Sequence, residues 1–155
     1  MRSRTRLIQN TLVSGGVAGA ISAAVLSLLA KAEDAAPVQP INATSHWLHG
    51  KTAGNVKGID AKHTVPGLAT HCGACVFWAA LFETLRAASP RASTGRIICD
   101  AAAVSAVAAV VDYGLVPKNL TPGWEGPLPI RSVAGGFVGL ALGLAIGGLV
   151  TGVRR

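Results

Sequence analysis

From Ser132 to Val153 the chain runs for 22 residues without a charged side chain, and Gly135, Gly139, Gly143, Gly147 and Thr151 recur through it at every fourth position. As a helix such a run is roughly 33 Å long, which suits the hydrocarbon core of a bilayer. A surface helix of a soluble domain keeps a polar face, and this one has none. The small residues add a second constraint. They let another backbone come close, and in lipid helices associate through such packing because there is no water to escape. The stripe therefore predicts partner helices. A four-residue repeat gains about 40° per step on the 3.6-residue period, so the stripe must cross a neighbour at an angle or serve two neighbours in succession. Those neighbours are expected to be the first span and either the third span or another subunit.

Composition agrees with a membrane protein: half of the 155 residues are apolar and 14% are charged. The formal net charge of +7 would suggest nucleic acid if the basic residues formed a patch. They are instead scattered between apolar runs, so nucleic acid is not an expected partner. Three cysteines, Cys72, Cys75 and Cys99, are too few for the disulfide framework of a small secreted protein.

Arg2, Arg4 and Arg6 precede an uncharged run from Leu7 to Ala30 that is long enough to span a bilayer. Within it Gly15, Gly19, Ala23 and Ser27 repeat the four-residue spacing, so this first span is expected to pack on the last. Ala30-Lys31-Ala32 has the form of a signal cleavage site. The apolar run is nevertheless longer than the about 7–15 residues of a signal core, which favours a retained span. Residues 31–66 turn polar and form a loop. In it the stretch Pro40 to Gly50 predicts a short interfacial helix with Trp47 at headgroup level. Asn42-Ala43-Thr44 also matches a glycosylation sequon, which matters only in a eukaryotic secretory pathway. Pro66 can open a second span over about 67–86, and a third over about 97–116 is stopped by Pro117. Residues 117–131, with four prolines, form a second loop before the span at 132–153. The expected fold is all-α: a single integral membrane domain, 1–155, built as a four-helix transmembrane bundle.

Arginines concentrate at the two termini and around the turn between the second and third spans, at Arg86, Arg91 and Arg96, whereas the long loops carry their lysines sparsely. By the positive-inside rule both termini and that turn are cytoplasmic, and the long loops lie outside, which for a bacterial protein means the inner membrane.

The second and third spans share a short turn, so residues equally far from it lie at similar depth. About Arg91 this pairs Glu83 with Asp100 and His71 with Asp112. The two layers are roughly 18 Å apart at helical rise. Ionisable groups within a span carry an insertion cost, so these four residues are the polar intramembrane candidates, either for a proton or cation path or as water-reached helix ends. In the second case Glu83 has Arg86 one turn away as a local partner. Cys72 and Cys75 form a C-x-x-C pair at a helix end, the one redox-like pattern. It resembles the C-x-x-C of quinone-linked disulfide-forming membrane oxidoreductases, but a second outer cysteine pair is missing. His46, His49, His63 and His71 lack the spacing of a metal site, and no cofactor is expected. Trp47, Tyr113 and Trp124 read as an outer aromatic belt, and Trp78 as helix packing.

Pro40-Ile41-Asn42-Ala43-Thr44-Ser45-His46-Trp47, Val76-Phe77-Trp78-Ala79, Asp112-Tyr113-Gly114-Leu115-Val116-Pro117 and Leu120-Thr121-Pro122-Gly123-Trp124-Glu125 together resemble segments of small bacterial inner-membrane proteins of the YagU-like kind. The resemblance covers about a third of the chain. It implies a multi-helix inner-membrane protein without an assigned reaction, and it singles out Asn42, His46, Trp47, His71, Asp112 and Trp124 on the outer side. Cys72 and Cys75 depart from that pattern. The expectation is a structural or stress-related membrane protein without catalysis, in contact with lipid and able to form homo-oligomers through its glycine-rich helices. The alternatives are a small proton-coupled transporter or channel subunit, and a thiol oxidoreductase using Cys72 and Cys75.

Overall fold

The computed structural model describes residues 2–89 and 93–153. The turn at Arg91 and the closing Arg154-Arg155 lie outside them. Among the described residues every regular element is helical: α1 (Arg2–Ala32), α2 (Gln39–Ala43), α3 (His46–His49), a 3-10 turn (Lys51–Asn55), α4 (Thr64–Ala88), α5 (Thr94–Val110) with a π-helical end (Val111–Leu115), and α6 (Ile130–Val153). Four of them, α1, α4, α5 with its π end, and α6, are long and apolar enough to cross a membrane, and they form a four-helix bundle.

Local chemistry sets the ends of these helices. Ahead of α4 the Asp60 carboxylate accepts the His63 backbone N–H at 2.5 Å, while Thr64 Oγ1 accepts the Asp60 N–H at 3.0 Å. The His63 N–H at the N-cap, which the helix itself cannot satisfy, is thereby taken up, and the Asp60 N–H ties the preceding turn to the helix start. Those hydrogen bonds, with the His63 ring at 2.8 Å, hold the Asp60 carboxyl below its usual range. At α5 the Ser93 hydroxyl accepts the Arg96 N–H at 3.3 Å as an N-cap. The far end of α5 closes through a wider ring, Val116 N–H to Val111 O at 3.0 Å, before Pro117 ends it.

α1 and α6 run antiparallel in close contact. The nearest groups to Gly139, Gly143 and Gly147 are Ser22, Ala18 and Ser14 of α1, and a Cβ at Gly147 would come within 2.6 Å of the Ser14 Cα. Thr151, the last member of the stripe, turns instead to Arg86 of α4. Within the chain the stripe thus has two neighbours in succession, but the second is α4 rather than the third span. A further correction concerns Gly15 and Gly19. They face Val76 and Cys72 of α4, not α6, because the two rows of small residues on α1 lie side by side: Ser14, Ala18 and Ser22 meet α6, and the glycines one position later meet α4.

The single interfacial helix expected around Pro40 to Gly50 is two short helices with opposite surroundings. α2 is buried along its length, and the Ile41 carbonyl rests on Gly67 of α4, where a Cβ would overlap it. α3 is the exposed one, with Trp47 at 49% and Leu48 at 54% exposure. Asn42 explains the difference. Its amide donates to Val56 O at 2.8 Å and Gly58 O at 2.9 Å and accepts from Thr64 Oγ1 at 2.7 Å, so it ties the loop to the start of α4. An Asn with no exposure and both amide protons engaged is no glycan acceptor in this fold.

Candidate functional site

At the loop end of the bundle, between α4 and α5, lies a cavity of about 280 Å³. α4 contributes Thr70, His71, Cys75 and Trp78, and α5 contributes Asp112 from its π-helical end. Ser22 of α1 and Phe137 of α6 come from the other pair of helices, while Thr44, Trp47 and Trp124 come from the loops. All three tryptophans of the chain therefore share one wall. The volume sits at the small end of the roughly 300–1,000 Å³ usual for small-molecule sites.

Trp124 departs most from expectation. A headgroup-belt residue would be exposed, yet Trp124 is 6% exposed, its ring 5.4 Å from Phe137 and 6.0 Å from His71. Gly136 makes room for it, since a Cβ there would lie 3.0 Å from the indole. Gly123, with φ +78°, supplies the left-handed turn that folds the loop inward, and a side chain there would strike His46. His46 fastens the same loop, one ring nitrogen 3.1 Å from Ala43 O and the other 3.2 Å from Lys118 O.

Two matching relays hold the loop tryptophans. The Trp124 indole N–H donates to Thr44 Oγ1 at 3.1 Å, and that hydroxyl donates to Pro40 O at 3.0 Å. The Trp47 N–H donates to Thr70 Oγ1 at 3.1 Å, and that hydroxyl donates to Pro66 O at 2.8 Å. Each indole has its donor satisfied and its orientation fixed. The threonines were missed from the sequence, although a signal exists: Pro40-Ile41-Asn42-Ala43-Thr44 and Pro66-Gly67-Leu68-Ala69-Thr70 share the pattern P-x-x-A-T. Both place a hydroxyl one turn after a proline.

His71 and Asp112 line this one cavity, but no hydrogen bond joins them among the described residues. His71 is 3% exposed, with Nε2 3.1 Å from both Gly19 O and Ser22 Oγ. A carbonyl only accepts, so Nε2 carries the proton in its bond to Gly19. The Ser22 hydroxyl is directed to Ala18 O at 2.7 Å. Asp112 is half-buried and has no hydrogen bond or ion pair among the described residues. Cys75 is buried beside Ser22 at 3.7 Å, Cys72 is exposed, and both are free thiols.

The other expected layer is organised differently. Glu83 and Asp100 do not share a hydrogen bond; each is held by an arginine of its own helix. Arg86 Nη1 donates to both Glu83 oxygens at 2.7 and 2.8 Å, and Ser14 of α1 donates to Glu83 Oε1 at 2.6 Å. Arg96 Nε donates to Asp100 Oδ1 at 2.7 Å, leaving Oδ2 buried without a partner among the described residues. A proton shared between Glu83 and Asp100 has no bond to travel along. His49 and His63 stack edge to face at 4.9 Å on the surface, and no cluster of three His, Cys, Asp or Glu side chains suited to a metal occurs among the described residues.

No protein-family model, curated protein or solved structure matches the chain.

Proposed function

We propose that this four-helix membrane protein belongs to the bacterial inner membrane, is of the YagU-like kind, and works without catalysis by binding a small ligand from the outer side. Arginines at the termini and at the turn between α4 and α5 support cytoplasmic placement of that end, which leaves the cavity on the outer side. One observation carries the binding reading. The cavity wall is held ready by the Trp124–Thr44 and Trp47–Thr70 relays, while Asp112 beside them has no hydrogen bond or ion pair among the described residues. Pre-positioned apolar walls with one or two polar groups are the usual make-up of a ligand site.

Chemistry at this site finds less support. A nucleophile needs a base within hydrogen-bond reach and that base needs an orienting group. Here the His71 Nε2 is turned to a backbone carbonyl, and its ring is not bonded to Asp112. A proton path would need both polar layers, and Glu83 is already engaged with Arg86, Ser14 and Thr151. The thiol reading is disfavoured by the burial of Cys75 beside an exposed Cys72. Association between copies would use the lipid-facing sides, because Gly139, Gly143 and Gly147 are taken up by α1.

Native mass spectrometry of the intact protein released from its own membrane tests the reading. A small molecule retained by the wild type and lost from Ala74→Phe, which fills the cavity, is the expected result. A wild type and variant that both fly free of any small molecule would overturn it.

A further inference from the structure

The make-up of the wall narrows the class of guest. Trp47, Trp78, Trp124 and Phe137 supply aromatic surface. With the N–H groups of Trp47 and Trp124 spent on Thr70 and Thr44, those two rings have no hydrogen-bond donor left to offer a guest. The negative face of an indole attracts a cation more strongly than that of any other side chain. Among the described residues Asp112 is the one carboxylate in the wall, no lysine or arginine lines it, and no side chain neutralises Asp112. The other titratable groups there are His71 and Cys75, whose positions beside Gly19 and Ser22 keep them to the floor. Outside the wall, the exposed Glu125 accepts from Tyr113 Oη at 2.9 Å and from the wall residue Thr121 through Oγ1 at 3.2 Å.

We propose that the cavity binds an organic ammonium ion of the quaternary kind, its methyl groups among the indole faces and Asp112 as its counter-ion. The inference rests on the reading of the cavity as a ligand site. A bare divalent metal is a poor match, because it needs about six oxygen ligands and the wall supplies one carboxylate. A primary ammonium needs three hydrogen-bond acceptors, whereas the Thr44 and Thr70 oxygens each already accept an indole N–H, from Trp124 and Trp47. A quaternary ammonium has no N–H to satisfy and spreads its charge over methyl groups that suit an apolar wall. Such a group reaches an outer-face cavity either as a free solute or on the headgroup of a neighbouring lipid.

The test compares choline with 3,3-dimethylbutan-1-ol, which has the same shape without the charge. Both are titrated by tryptophan fluorescence against the full chain in phosphatidylglycerol nanodiscs. Choline is expected to bind about tenfold or more tightly than the alcohol, a ratio of the size cation–π and counter-ion contacts give. Asp112→Asn, which keeps the shape and breaks no hydrogen bond among the described residues, should erase most of that preference by lowering choline affinity far more than the alcohol's. Equal affinity of the two probes for the wild type would overturn the ammonium proposal and leave the cavity reading standing. Choline affinity unaltered by Asp112→Asn would also overturn it. Failure of both probes to bind would remove the cavity reading as well. In discs of phosphatidylcholine, a drop in apparent choline affinity assigns the ammonium to a lipid headgroup, and an unchanged affinity assigns it to a free solute.

Discussion

Arg86 and Glu83 form an ion pair at 2.7 Å in which neither side chain is more than 3% exposed, and the pair draws in Ser14 of α1 and Thr151 of α6. One turn of α4 thus fixes the position of two other helices at the termini end of the bundle. A buried pair of this kind is costly to break and cheap to replace whole, because removal of one partner strands the other charge.

Arg86→Met should therefore lower stability by about 3–5 kcal/mol, the usual cost of an uncompensated buried charge. The double variant Glu83→Gln with Arg86→Met should recover most of that loss. Reversible unfolding in mixed detergent micelles, titrated with a denaturing detergent, measures both. Equal losses in the single and double variants would show that the charge on Glu83 is not what the arginine serves.

This pair marks a boundary of what the sequence discloses. The four spans were legible because each is a long apolar run, uncharged in the first and last and with only a few charged residues in the second and third, and their ends fall within a few residues of the observed helices. Chain geometry about a short turn puts His71 and Asp112 at similar distances from it, and the two line one cavity. For Glu83 and Asp100 the sequence left two alternatives, and the local one, with Arg86 as the partner of Glu83, is what is observed; depth says nothing of rotation, and each acid has an arginine three or four residues away on its own helix. The cavity wall was less visible still. Trp124 sits in a proline-rich loop, and only the left-handed turn at Gly123 and the gap at Gly136 allow it to fold inward. Neither condition is local to the tryptophan in the sequence.

Glycines in the spans are not equivalent, and their differences are measurable. A Cβ at Gly143 would overlap the Ala18 backbone, whereas nothing lies within 4 Å of the corresponding position at Gly16. Gly143→Ala should cost about 1–3 kcal/mol through overpacking of α1 against α6. Gly16→Ala should be neutral or stabilising by about 0.5–1 kcal/mol, since a mid-helix glycine gives up that much to alanine. The same micellar unfolding measurement ranks them. A Gly143→Ala protein as stable as Gly16→Ala would mean that α1 and α6 do not meet at this register.

The loop end of the same helix pair is clasped by an ion pair with a definite pH signature. Glu33, just past α1, accepts from Arg131 Nε at 3.0 Å, Arg131 Nη2 at 2.8 Å and Ser132 Oγ at 2.7 Å at the start of α6. Those hydrogen bonds, the arginine's first, hold the Glu33 carboxyl below its ordinary range. A carboxyl with a depressed folded value binds fewer protons folded than unfolded around its ordinary pKa, so stability rises with pH there. The contribution of the clasp is fully present above the unfolded glutamate value of about 4.3 and is lost as pH falls through the lower folded value. Glu33→Gln should flatten the acid side of the stability profile below about pH 5 and leave the neutral side parallel to the wild type. The site is solvent-facing, so salt should shrink the difference between the two proteins. Superimposable acid limbs for wild type and Glu33→Gln at low ionic strength would show that the α1–α6 clasp is not formed in the membrane-embedded protein.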